Sequence, residues 1–211
     1  MLSSPSGGGK TTIARHLLMG RDDVIYSVSA TTRTRRDGET DGQHYHFLSR
    51  DEFEGRVGRG DFLEWAEYGG NLYGTLRSEV EAGLASGRHV VLDIEVQGAQ
   101  QLRDRFPNAV HVFVLPPSAA TLVQRLQNRK TEDPAALARR FAIAARELAL
   151  TGQYDYIVVN DDVVEAVGQV AAILEVESRR PRRLRNLDTV IERLRQDLAG
   201  AAERPPSTDA A

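Results

Sequence analysis

The run Ser4-Pro5-Ser6-Gly7-Gly8-Gly9-Lys10-Thr11-Thr12 has the composition of an anion hole built from backbone. Small residues let successive N–H groups turn inward, Lys10 adds a point charge, and the Thr11 hydroxyl is a ligand for Mg²⁺. The strict phosphate-loop pattern has glycine where this chain has Ser4. The strand that leads into the loop is reduced to Met1-Leu2-Ser3, either a stub or the mark of a chain that begins late. A second cluster, Thr32-Arg33-Thr34-Arg35-Arg36, presents guanidinium groups whose planar forks match phosphate oxygens. Tyr45 and Tyr73 can each donate a phenolic hydrogen bond to the same phosphate. Asp93 and Glu95 stand two apart at the end of an apolar run, hence on one face of a strand, where Asp93 can organise a Mg²⁺-bound water or Lys10. Arg125 and Arg129 are four apart on one helix face, and Arg140 comes from the next helix.

The segments that must position these groups alternate between strand and helix patterns. Residues His89 to Ile94 are nearly continuous apolar, as in a parallel strand covered on both faces, and so are Ala109 to Leu115 and Tyr156 to Val159. Val24 to Ser29 alternates, with Val24, Tyr26 and Val28 on one face. Helices are expected from Thr11 to Met19 on Ile13, Leu17 and Leu18, and from Leu76 to Ser86, stopping at Gly87. Others start at Ser118 as N-cap, carrying Leu122 and Leu126, and after Asp133-Pro134, carrying Leu137, Phe141 and Leu148. A last one follows Asp162 on Val163, Val167, Val170 and Leu174. Strands separated by helices give an α/β fold, a P-loop NTPase-like parallel sheet with crossover helices.

The stretch from about 31 to 75 breaks that alternation. It is polar, has turn pairs at Asp37-Gly38 and Asp41-Gly42, and reads as a capping box at Ser49 to Glu52. Phe62 to Tyr68 and Leu72 to Thr75 flank a Gly69-Gly70-Asn71 turn. This is a small β-rich insert beside the nucleotide-binding sheet, placed to carry a second substrate. Trp65 is expected to pack within it.

Composition is that of an ordinary globular enzyme: 211 residues, 41% hydrophobic, 27% charged. A formal net charge of −3 argues against a protein that chiefly coats nucleic acid. Zero cysteines excludes disulfides and thiolate metal sites and fits a reducing compartment. No apolar run approaches membrane-spanning length, so the expected location is the cytoplasm.

The run from Val28 to Glu39, followed by Gly42, Tyr45 and Phe47, resembles the GMP-binding signature of guanylate kinases. Further matches follow in order: Phe62 to Ala66, Gly70 to Thr75, Leu92 to Gly98, Pro116-Pro117-Ser118 and Val159 to Asp162. The resemblance covers about residues 2 to 178. It implies a helical lid at about 127–145, a kinase domain over 1–180, and substrates ATP and GMP, with dGMP accepted too. It also implies roles. The loop from Ser4 to Thr12 holds the β- and γ-phosphates of ATP, with Thr11 on Mg²⁺ and Asp93 reaching the metal through water. Arg33, Arg36, Tyr45 and Tyr73 grip the GMP phosphate, Glu39 belongs to the same pocket, and Ser29, Glu64 and Thr75 read the base. Asp93 and Glu95 approach the nucleoside, although the family commonly has aspartate where this chain has Glu95. Arg125, Arg129 and Arg140 neutralise the transferring phosphoryl group, with Lys130 where glycine is frequent. Asn160 either contacts the adenine edge or caps its loop. Two relatives of the family differ in function: kinases acting on a ribose bisphosphate, and non-catalytic scaffold modules, which tend to lack the loop lysine that is intact here.

Residues 181–211 fall beyond the resemblance. Ser178 to Arg185 is a basic run, either a solvated linker or a contact for acidic partners, with no specific nucleic acid implied. Leu187, Val190, Ile191, Leu194 and Leu198 form a helical stripe that needs a surface, its own core or a second copy in a homo-oligomer. The Pro/Ser/Ala-rich tail from Glu203 is expected to be disordered.

Overall fold

The structure, a computed structural model, describes residues 1–127 and 134–202. Arg129, Lys130, part of the expected lid and the tail from Glu203 therefore lie outside the described residues. Two units are compact in themselves, Met1–Ala171 and Ala172–Ala211.

The first unit opens with β1 (Leu2–Ser3), the phosphate loop and α1 (Lys10–Gly20), then β2 (Val24–Tyr26). The insert follows, with β3 (Ser29–Thr31), β4 (His46–Phe47), α2 (Arg50–Arg59), β5 (Phe62–Tyr68) and β6 (Asn71–Leu76). The chain returns through α3 (Arg77–Ala85) to β7 (His89–Val91), α4 (Val96–Arg105), β8 (Val112–Leu115), α5 (Ala119–Gln127), α6 (Pro134–Leu148) and β9 (Tyr156–Val159). The last helices are α7 (Val163–Ser178) and α8 (Leu187–Ala202). Helix starts follow the capping chemistry of the sequence. Ser118 Oγ accepts from Thr121 N, Asp162 Oδ1 accepts from Val164 N and Glu165 N, and Ser49 and Glu52 form the reciprocal capping box of α2.

β1 is a stub, yet it is central. It pairs in parallel with β8, which pairs with β9, while β2 pairs with β7. Leu2 N donates to Leu92 O at 2.8 Å and Ile94 N donates to Leu2 O at 3.1 Å, joining the two sheets in the order β2-β7-β1-β8-β9. The connection from β1 runs one way to β2 and that from β7 runs the other way to β8. The crevice at this reversal, at the carboxyl ends of β1 and β7, is where open α/β sheets bind ligands. It lies between the phosphate loop and Asp93.

Val24 to Ser29, expected as a single strand, divides between two sheets. β2 stays in the parallel layer, and β3 begins the insert sheet, ordered β4-β3-β6-β5. The insert has its own core of Ala30, Phe53, Phe62, Leu72 and Leu76, with the Phe53 and Phe62 rings stacked at 4.3 Å. A separate cluster of Leu63, Val80, Leu92, Ile94, Ala99 and Leu102 packs β5 and α4 against the main sheet. α5 and α6 pack through Leu122, Leu126 and Ala144. Trp65, expected to be packed, is 40% exposed, because alternate residues of β5 face away from α4.

In the second unit the basic run is tied to acids of its own segment. Arg180 and Arg183 both reach Glu177, at 2.8 and 3.1 Å, and Arg179 reaches Glu175. The α8 stripe is exposed at Val190, Ile191, Leu194 and Leu198.

Candidate active site

The loop after β1 turns on Gly7 and Gly9, both with positive φ (86° and 96°), and delivers Lys10 as the first residue of α1. Gly8 N closes the turn on Pro5 O at 2.8 Å. Ser4, the departure from the strict pattern, is fully buried against this turn. A Cβ on Gly8 would lie 2.5 Å from Ser4 Cβ, so the bulk added at position 4 is accommodated by the lack of bulk at position 8. Ser4, Ser6, Gly7, Gly9, Lys10, Thr11 and Thr12 line a cleft of about 1180 Å³. Pro5 and Gly8, expected among the ATP-binding residues, do not line it, since their backbones are turned on one another to make the loop.

Lys10 Nζ meets Glu95 Oε1 at 2.9 Å and Asp93 Oδ1 at 3.6 Å, and Thr11 Oγ1 donates to Asp93 Oδ2. Burial on its own would lower the Lys10 pKa, but the Glu95 and Asp93 carboxylates outweigh it and hold the ammonium above the ordinary lysine value. Burial pushes the Asp93 carboxyl up, opposed by Lys10 and Thr11. The pair of carboxylates expected on one face beside the loop is thus brought onto its lysine. Glu95, with its longer side chain, takes the closer contact.

Across the same cleft, Arg33 Nη2 pairs with Glu39 Oε1 at 2.7 Å, and Glu39 Oε2 accepts from Arg36 N at 2.8 Å. The Glu39 bond raises the Arg33 pKa. Tyr45 stands under the Arg33 guanidinium at 5.4 Å and edge-on to Tyr73 at 6.0 Å. Burial pushes the Tyr45 phenol up to about 12, so it stays a donor. Arg33, Arg36, Glu39, Tyr45 and Tyr73 all line the cleft that Lys10 enters.

Three further candidates meet on one rung of the insert sheet. Thr75 of β6 faces Ser29 of β3 and Glu64 of β5. The register of β5 slips between Phe62 and Glu64, and this bulge turns Glu64 toward Thr75 and the cleft. Glu64 is 6% exposed, and its Oε1 accepts from Thr75 Oγ1 at 2.5 Å. Burial pushes its carboxyl up to about 7, against the lowering effect of Thr75. Thr75 does not line the cleft. Its hydroxyl is spent on Glu64, which makes it a holder of the carboxylate rather than a surface for the base.

Arg125 lines the cleft beside the loop, and its Nη2 approaches Asn160 O at 3.5 Å. Arg140 does not line it, but α6, packed on α5, brings its charge near Tyr68, which does. Arg129 lies outside the described residues. Asn160 is buried and donates from Nδ2 to Gly8 O at 2.9 Å, the geometry of a loop brace. The cleft also takes in Tyr26 and Tyr68, which no motif singled out. Glu147 of α6 is a further omission: it is 8% exposed, and burial, then the charge of Glu95, pushes its carboxyl up to about 7. A carboxylate set beside Ala144 and Leu148 on the buried face of α6 was the available signal.

Amides gathered at a helix N-terminus suit the phosphates of a donor, and here a second group, Arg33 and Arg36 with Tyr45 and Tyr73, lines the same cavity. That pairing defines a P-loop phosphotransferase whose acceptor is itself phosphorylated. Residues 1–177 match the family model of guanylate kinase. The guanylate kinase of Desulfitobacterium hafniense is 48% identical over 183 residues, covering 87% of this chain and 92% of that one. That of Sphingopyxis alaskensis is 50% identical over 184 residues, with 87% and 84% covered. The crystal structure of guanylate kinase from Anaplasma phagocytophilum superposes with a TM-score of 0.75 at 33% identity, covering 90% of this chain and 91% of that one. The chain belongs to the guanylate kinase family.

Proposed function

We infer that this chain carries out the guanylate kinase reaction, moving the γ-phosphoryl group of ATP to the phosphate of GMP to give ADP and GDP, with dGMP accepted as well. One observation carries the reading: Lys10 and the Arg33–Arg36–Tyr45–Tyr73 group open onto the same cavity. Two phosphate sites on one cleft set donor and acceptor face to face, which converts a bimolecular transfer into an oriented one.

The attacking atom is an oxygen of the acceptor phosphate, largely ionised near neutral pH, so no protein group is needed to remove a proton. The obstacle is like-charge repulsion. Lys10 and the loop amides take the donor phosphates, Arg33 and Arg36 take the acceptor phosphate, and Arg125 faces the space between. Arg129 and Arg140 join Arg125 when the lid closes; this rests on the family resemblance. Ionised Glu64 accepts from N1–H and the 2-amino group of guanine, and Ser29 donates to O6. Adenine, without the N1 proton, would leave Glu64 unpaired, a mismatch of the order of 10⁴ in selectivity.

The oxygen donors of Thr11 and Asp93 suit Mg²⁺. Among the described residues no group of three or more His, Asp or Glu gathers to hold a metal. Thr11 would hold a divalent ion bound with the donor phosphates, and Asp93 would orient a water bound to it. When bound it neutralises charge on the donor phosphates. Among the described residues no helix is long and apolar enough to cross a membrane. The absence of cysteine and the nucleotide substrates support a cytoplasmic location.

Steady-state rates with GMP, AMP and ribose 1,5-bisphosphate, each with ATP and Mg²⁺, test the assignment. GMP is expected to exceed both by orders of magnitude. Equal rates with GMP and AMP would overturn the reading of guanine.

A further inference from the structure

We propose that Gly98 is a positioning residue for purine selectivity, its missing side chain being the space in which the Glu64 carboxylate rests. The proposal builds on Glu64 as the guanine reader. Gly98 lies in the first turn of α4 and has no positive φ, so the backbone itself does not call for glycine there. An interior glycine weakens a helix by about 1 kcal/mol relative to alanine, which leaves close approach as the reason for it. The approach is specific. A Cβ on Gly98 would lie 2.2 Å from Glu64 Oε2, 2.9 Å from Cδ and 3.6 Å from Cγ, so its three nearest atoms all belong to Glu64.

The carboxylate is therefore fixed from two sides, by Thr75 at Oε1 and by the bare face of α4 at Oε2. Neither the helix nor the strand is free to give way. Arg105 Nη1 donates to Leu63 O at 3.1 Å, Gln101 Nε2 donates to Trp65 O at 2.7 Å, and Trp65 N donates to Gln101 Oε1 at 3.4 Å. α4 is thus laced to the β5 backbone on each side of Glu64. Its other face is seated in the core through Ala99 and Leu102, both fully buried. An added methyl group must be absorbed by the carboxylate, the flexible end of a side chain. The fold survives at small cost, while the reader moves off the position from which it meets the purine.

The test is a double-mutant cycle of Gly98→Ala and Glu64→Asp, read as kcat/KM for GMP and for AMP with ATP and Mg²⁺, beside melting temperature and KM for ATP. G98A is expected to lower the GMP/AMP selectivity ratio by about 10²-fold, chiefly through KM for GMP, with KM for ATP unchanged. E64D withdraws the carboxylate by one methylene. Alone it should weaken GMP, but in the G98A background it should restore part of the loss. Losses that multiply instead, or a ratio unaltered in G98A, overturn the proposal. Glu64→Gln serves as a separate arm. If it leaves the ratio intact, the reading of Glu64 fails and the role of Gly98 fails with it. If it abolishes the ratio while G98A preserves it, only the role of Gly98 fails. Should G98A not fold alone, the G98A/E64D variant must fold and phosphorylate GMP, and an unfolded double variant also overturns the proposal.

Discussion

Lys10 Nζ sits 2.9 Å from Glu95 Oε1, on the first residue of α1 and the last residue before α4, so one ion pair closes the crevice between β1 and β7. Asp93 completes it at 3.6 Å. The lysine thus has a structural load in addition to its charge toward phosphate.

Lys10→Met should therefore show two separable effects. Turnover falls by at least ~10²–10³-fold, the loss typical of one electrostatic donor. Stability also falls, by about 3 kcal/mol at neutral pH, because two carboxylates are left facing each other. The second effect fades as pH drops and the carboxylates protonate. Near-normal turnover would refute the phosphate role, and a pH-independent change in melting temperature would refute the structural one.

Glu64 predicts opposite trends for binding and stability. Its carboxyl is pushed up to about 7 by burial, yet guanine requires the ionised form. KM for GMP should rise roughly tenfold per pH unit below about 7 on this account. Glu64→Gln should remove that dependence, leaving only the titration of the GMP phosphate near pH ~6. For stability the sign reverses. A carboxyl raised from 4.5 to about 7 favours the fold fully below about 4.5 and loses that advantage as pH rises through about 7. Glu64→Gln should thus gain on the wild type at pH 8, by an amount on the order of 3 kcal/mol, and match it at pH 4. Thermal melts at the two pH values check it.

Much of this was legible from residue types. The phosphate loop, the acid pair after β7 and the Arg–Tyr cluster were placed by spacing, because each rests on local backbone geometry. The division of Val24 to Ser29 was not legible. Tyr26 and Ser29 belong to the same alternating run, and only tertiary pairing sends β2 to β7 and β3 to β6. The bond between Thr75 and Glu64 was not legible either, because a bulge in β5, invisible in the pattern, turns Glu64 toward the Thr75 hydroxyl. Glu147 carries only a weak signal, because helical periodicity marks apolar residues, and its place beside Ala144 and Leu148 is all that sets it apart from a surface carboxylate.

Arg33 is held by Glu39 and lies over Tyr45, which orients its fork before any phosphate arrives. Arg33→Ala should raise KM for GMP by about 10–100-fold with little change in KM for ATP, the scale of one charge-assisted contact. Arg33→Lys should recover little of it, since an ammonium lacks the planar pair of donors. Full recovery by lysine would reduce the role to simple charge.

Asn160 ties the far end of β9 to the loop through Gly8 O. Asn160→Ala removes one buried hydrogen bond, about 1 kcal/mol, and should raise KM for ATP roughly fivefold while leaving KM for GMP unchanged. Equal changes in both constants would place the residue outside the donor half of the site.

The insert begins and ends on paired residues: Ser29 at its start faces Thr75 near its end, in antiparallel register. A segment whose two ends meet on neighbouring strands is attached like a page at its spine. It can be exchanged as one continuous cassette without disturbing the chain threading of the donor half. Acceptor choice in this architecture is accordingly carried by one lobe and its seat, and new acceptors can be sought by grafting Ser29 to Leu76 together with the α4 residues that meet β5, Gly98 and Gln101, rather than by rebuilding the sheet that handles the triphosphate.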